Sequence, residues 1–134
     1  GGMNDDPAYE TESAGIRVRV RPSYLAGQSD PDAGRWVWAY QVEIENRRES
    51  PVQLIARHWV ITDAHGHVQE VRGLGVVGEQ PRLAPGETYE YSSVCQVSTP
   101  VGTMRGSYTF LAADGTSFEA EIPCFTLAMP RVLH

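Results

Sequence analysis

Residues 73–81 read GLGVVGEQP. Gly73, Gly75 and Gly78 have the Gly-x-Gly-x-x-Gly spacing with which dinucleotide-binding folds cradle a pyrophosphate at a helix N-terminus. The sequel decides against that fold. Pro81, Pro85 and Gly86 fall within six residues, and proline in a helix interior removes a backbone donor and clashes with the preceding turn. No strand-helix-strand pattern occurs elsewhere, so the glycines belong to a strand-to-turn connection. A weaker anion site stays open at this point: the loop could form a nest of backbone N–H groups. Its candidate residues, for an anion or for a partner, are Arg72, Gly73, Gly75, Gly78, Glu79, Gln80 and Arg82.

Outward from the loop, the chain reads as strands parted by turns. Ile16, Val18 and Val20 alternate with Arg17, Arg19 and Arg21, the pattern of a half-buried strand with a solvated outer face. From Arg35 to Glu45, Trp36, Trp38, Tyr40, Val42 and Ile44 share one face. Val52 to Thr62 is apolar on both faces, with Val52, Leu54 and Val60 on one and Ile55, Trp59 and Ile61 on the other, which predicts a central strand. Asp63-Ala-His-Gly-His67 is a hairpin turn, followed by a short strand over 68–71. Ala84-Pro-Gly-Glu87 and Ser98-Thr-Pro-Val-Gly102 are turns that bracket a strand over 88–94. Arg105 to Ala112, a turn at Asp114-Gly115 and an apolar alternation from Phe118 to Leu127 complete the series. About seven strands with no helical periodicity predict an all-β, antiparallel two-sheet sandwich of the immunoglobulin or fibronectin type III kind.

Length and composition bound the rest. A chain of 134 residues with 41% hydrophobic content is expected to be one globular domain over residues 15–128. Residues 1–14 carry four acids and no base, and they read as a disordered acidic tail, with Gly1-Gly2 ahead of Met3 as a cloning remnant. Residues 129–134 read as a second tail. No apolar run nears the roughly 18 residues that cross a bilayer, and no secretory signal is visible, so no membrane insertion is expected and the cytoplasm is the expected compartment. All 11 basic residues are arginine, without a cluster interleaved with aromatics, so nucleic acid is not an expected partner. Cys95 and Cys124 lie 29 positions apart with no Cys-x-x-Cys, the pattern of reduced, semi-buried strand residues.

Candidates for chemistry are sparse. Asp63, His65 and His67 could supply part of a metal site across a turn, although an exposed His-x-His turn without a third clustered ligand reads first as solvated. His58, mid-strand beside Trp59, reads as a hydrogen-bonded, semi-buried residue. No Gly-x-Ser-x-Gly and no convincing acid/base pair occurs, so no catalytic residue and no cofactor is expected.

Five blocks carry a resemblance. Arg57-His-Trp-Val-Ile-Thr-Asp-Ala-His-Gly66, Gly75-Val-Val-Gly-Glu-Gln-Pro81, Pro85-Gly-Glu-Thr-Tyr-Glu-Tyr-Ser-Ser93, Ser98-Thr-Pro-Val-Gly-Thr-Met-Arg-Gly-Ser-Tyr108 and Phe118 to Leu127 are similar to the ApaG family, also called CorD. The resemblance spans about residues 15–128 and departs from the family pattern at Leu74, often proline, and Val94, often glycine. It implies a fibronectin type III-like sandwich and a bacterial protein associated with cobalt resistance and magnesium efflux. It also implies kinship with domains in some F-box proteins and in a polymerase-interacting protein, where the role is protein contact. No catalytic residue comes with it. The expected function is therefore a non-catalytic protein-interaction module, whose partner is an unknown protein or a second copy of the chain. The alternative is a small-ligand protein, holding pyrophosphate or a nucleotide at the glycine loop or a divalent cation at His65 and His67.

Overall fold

The computed structural model describes residues 8–129. Nine strands follow in order: β1 (Tyr9–Ser13), β2 (Ile16–Tyr24), β3 (Trp36–Asn46), β4 (Val52–Asp63), β5 (Val68–Leu74), β6 (Arg82–Leu83), β7 (Thr88–Val97), β8 (Val101–Ala112) and β9 (Ser117–Ala128). One antiparallel sheet has the order β1-β2-β3-β7. The other runs β5-β4-β8-β9, with the two-residue β6 also on β4. The expected two-sheet β-sandwich is the observed architecture. The strands beyond seven are β1 and β6, and β8 begins at Val101, inside the expected turn.

Alternation puts Ile16, Val18 and Val20 of β2 and Trp38, Tyr40, Val42 and Ile44 of β3 on the inner face of the first sheet. Phe110 and Phe125 face them from the second sheet with 0% and 1% of their surface exposed, each contributing about 2–3 kcal/mol of transfer free energy. Tyr91 and Tyr108 hydrogen-bond each other through their hydroxyls inside this core, so neither phenol is stranded without a partner.

Two bulges set which residues reach the core. On β4 the ladder jumps from Leu54 opposite Phe110 to Ala56 opposite Thr109, leaving Ile55 as an extra residue. One inserted residue reverses the side-chain phase. Val52 and Leu54 therefore share the core with Trp59 and Ile61, whereas uninterrupted alternation assigned these pairs to opposite faces. The strand is central nonetheless, between β5 and β8. On β9, Pro123 and Cys124 together oppose Arg105, a bulge that spares proline a ladder bond. It turns Phe125 and Leu127 inward and leaves Cys124 exposed, a correction to its expected semi-burial.

The acidic tail also needs correction. Residues 9–13 form β1, paired along β2 from Tyr9–Val20 to Ser13–Ile16. Composition misled because the acids have distant partners. Arg17 Nη1 donates to Glu10 at 2.9 Å, and its Nε donates to Glu45 at 2.8 Å. Arg47 joins Glu12 and Glu45, both at 2.8 Å. The Tyr9 ring packs 5.9 Å from that of Phe125, and Ser13 Oγ accepts the Glu121 N–H at 2.7 Å, closing this side of the sandwich. The arginine face of β2 is thus an outer face, but Arg17 is an ion-pair hub on it. The remaining parts of the expected tails, residues 1–7 and 130–134, lie outside the described residues.

Hydrogen bonds first from Arg17 and then from Arg47 hold the Glu45 carboxyl below its ordinary value of 4.5. A depressed folded value means that this stabilisation is complete above the unfolded value and is lost as pH falls through the folded one. The thermal midpoint should fall between about pH 5 and about pH 3, and Glu45→Gln should make that fall smaller. Melting curves across this range check it; an identical fall in the variant would contradict it.

Candidate functional site

The glycine loop is built around the β4 bulge. The Ile55 carbonyl, freed from the ladder, accepts the Gly75 N–H at 2.7 Å and Gln80 Nε2 at 3.0 Å. Val76 and Glu79 then exchange both backbone hydrogen bonds, 2.8 and 2.9 Å, around Val77-Gly78. Positive φ at both central residues, 43° and 80°, makes this a type I′ turn. Val76 is fully buried and anchors the turn to the core. The Arg57 guanidinium lies over Gly73, where a Cβ would approach Nη1 to 2.8 Å, and Nη1 donates to the carbonyls of Leu74 and Gly75 at 3.0 and 2.9 Å.

Each glycine of the motif thus serves the β-fold itself. Gly73 admits Arg57, Gly75 lies against the Glu79 backbone at φ 64°, and Gly78 completes the turn. The N–H groups of Gly75, Val76 and Glu79, which a nest would need, are bonded to the protein's own carbonyls. The structure brings Gly75, Glu79 and Gln80 together. Arg72 instead reaches Glu70 at 3.4 Å, and Arg82 lies on β6 opposite Gln53.

At the other end of β5, Asp63 Oδ1 accepts the N–H groups of His65 and His67 at 2.8 and 2.9 Å. Burial acts to raise the Asp63 pKa, but these backbone donors and the His67 ring outweigh it, and the carboxylate sits below its ordinary value. The two imidazoles are 6.3 Å apart at an angle of 61°. Among the described residues no three His, Cys, Asp or Glu side chains gather in a way that could hold a metal ion. Asp63 serves as the cap of a hairpin turn. His58 bonds Glu70 at 3.2 Å through Nε2 on the outer face of β4.

Residues 26–112 match the model of the ApaG domain. A protein ApaG of Thiobacillus denitrificans is 65% identical over 119 residues, 89% of this chain and 94% of the relative. One from Aromatoleum aromaticum is 59% identical over 125 residues, covering 93% and 98%. The chain belongs to the ApaG family. A crystal structure of a Bordetella pertussis protein described as ApaA superposes with a TM-score of 0.85 at 52% identity, covering 92% of this chain and 99% of that one.

In this ApaG domain both departures from the family pattern face outward, Leu74 with 74% and Val94 with 59% of its surface exposed. The fold also shows a feature that sequence reading did not assign. Opposite the closed β1–β9 side, the edge strands β5 and β7 stay apart, and a cavity of about 360 Å³ opens between them. Its cause is side-chain size. Inward positions on β7 run Tyr91, Ser93, Cys95, Val97, and those on β5 include Val71 and Gly73. Small Ser93 and Cys95 at the middle of β7 leave space between the edges, with the buried Trp59, Ile61 and Met104 at its floor. The signal in the sequence is Ser93 and Cys95 at inward positions, where the same strand otherwise carries tyrosine and valine. Both cysteines are free. Burial pushes the Cys95 thiol up to about 12, and its Sγ–H donates to Met104 Sδ at 3.5 Å.

Proposed function

We propose that this ApaG domain is a non-catalytic protein-interaction module that presents the tip of the glycine loop to its partner. One observation carries the reading: Leu74 and Val77 stand 74% and 56% exposed on the loop, and Val77, a β-branched residue, is held at φ 43°. Left-handed geometry in a β-branched side chain is a strained outlier, and strain of that kind concentrates at binding and switch sites. The loop beneath is rigid, since the bulge, Arg57 and buried Val76 all fix it, which reduces the ordering cost of binding. The association with cobalt resistance and magnesium efflux that the resemblance implies fits a module acting on another protein, such as a transporter or its regulator. The cytoplasm, where two free thiols persist reduced, is the compartment in which we place that contact.

The test uses residues that the fold can spare. Val77→Asn gives the Asn-Gly pair that a type I′ turn favours and should raise stability by about 1 kcal/mol. Combined with Leu74→Asp, it should abolish specific capture of the partner from lysate of the source bacterium. A double variant that folds and retains the same partner would overturn the reading, as would a loop-intact chain that captures none.

A further inference from the structure

We propose that the cleft between β5 and β7 is a binding site for a small monocarboxylate with a flat apolar body, the carboxylate held by Arg57. Past the Ile55 bulge, the inward face of β4 runs Arg57, Trp59, Ile61. A permanent cation therefore points into the sandwich, half-buried, at one end of the cleft. Its carboxylate partner is missing: among the described residues Arg57 makes hydrogen bonds only through Nη1, to two backbone carbonyls. Those bonds fix the plane of the guanidinium and leave Nε and Nη2 as unspent donors, the edge that grips a carboxylate in bidentate fashion. One cation balances one negative charge, whereas a dianion would bring a second charge into the cleft without compensation.

The remaining walls define the body of the ligand. Tyr40 and Trp59 lie with ring centroids 5.2 Å apart at 59°, and Ile61 and Met104 complete an apolar floor. Ser93, opposite Tyr40 in the β3–β7 ladder, supplies a hydroxyl on the cleft wall. Burial pushes the Tyr40 phenol above its ordinary pKa, against the opposing effect of the Ser93 hydroxyl beside it. The volume, about 360 Å³, equals roughly a dozen water volumes and lies near the small end of the range for ligand pockets. Sheets packed face to face stand about 10 Å apart, so a planar body between their edges can touch both. The site uses the loop only through the Leu74 and Gly75 carbonyls that hold Arg57, and it stands or falls apart from the interaction role.

Titration of the full chain with indole-3-carboxylate and with its neutral amide, followed by amide and indole resonances in two-dimensional NMR, tests it. The carboxylate should give saturable shifts centred on Val71, Ser93, Cys95 and the Trp59 indole. The amide should bind at least about tenfold more weakly. Ser93→Phe, which fills the cleft, should abolish these shifts, and Cys95→Leu provides the same blockade should the first variant fold poorly. The Val77→Asn variant, altered only at the turn, should bind as the unaltered chain does. No saturable shift up to about 10 mM, equal affinity for acid and amide, or unchanged binding in a folded cleft-filled variant would each overturn the proposal.

Discussion

Gly75→Ala is expected to lower stability by about 3–4 kcal/mol, while Gly78→Asn costs no more than about 1 kcal/mol. A Cβ at Gly75 would overlap the Glu79 carbonyl oxygen, a backbone atom that cannot swing aside. The left-handed φ of 64° adds about 1–2 kcal/mol for an L-residue. Relief requires the Val76–Glu79 pair to open, which forfeits two backbone hydrogen bonds at about 1 kcal/mol each. At Gly78 no atom lies within 4 Å of the Cβ position, and asparagine adopts positive φ more readily than other side chains. A pyrophosphate cradle would need the small backbone of both glycines against a ligand; here only Gly75 has a backbone neighbour that forbids a Cβ, and Gly78 needs only a residue that accepts positive φ. Denaturant midpoints of the two variants separate these cases, and equal losses would contradict the turn assignment.

Asn46→Ala should cost about 3 kcal/mol. Asn46 is fully buried at the end of β3. Its Nδ2 donates to the carbonyls of Ser50 and Leu83, both at 3.0 Å, and its Oδ1 accepts the Arg48 N–H at 2.9 Å. One amide thus ties the 47–51 connection to β6. Truncation strands three backbone groups, and a buried stranded group costs about 1–3 kcal/mol unless water reaches it. Asn46→Asp keeps the acceptor and loses the donors, placing a carboxylate against two carbonyl oxygens. It should therefore be worse than alanine at neutral pH and improve on acidification, as the carboxyl gains a proton and with it a donor. Unfolding at two pH values distinguishes the variants; an alanine variant within about 0.5 kcal/mol of the parent would show that water replaces the amide.

The sequence carried the fold wherever alternation ran unbroken, as from Ile16 to Arg21 and from Trp36 to Ile44. Pro81, Pro85 and Gly86 also sufficed to exclude a phosphate-binding helix. What stayed illegible depends on partners remote in the chain. Glu10 and Glu12 read as a solvated tail because Arg17 and Arg47 become their neighbours only after β2 and β3 pair. With the extra residue at Ile55, Val52 to Thr62 carries apolar residues on both faces, so periodicity gives no sign of where the phase reverses. Asn46 is polar and sits beside a polar connection, and only its burial reveals its role. Arg57 stood in plain view as a strand residue; its inward direction follows from the bulge, and the cleft it enters follows from the small size of Ser93 and Cys95.

Strand β1 bears on where the molecule can be trimmed. The family match begins at residue 26, yet β1 and β2 both precede it and form half of one four-stranded sheet. Cutting there would leave β3 as a bare edge with its inner face uncovered. Even a cut after Ala14 would free the outer ladder groups of β2 and the Glu121 N–H of β9. Unpaired strand edges of this kind template association with other chains. Cover of this sheet edge therefore rests on five residues that composition alone would discard.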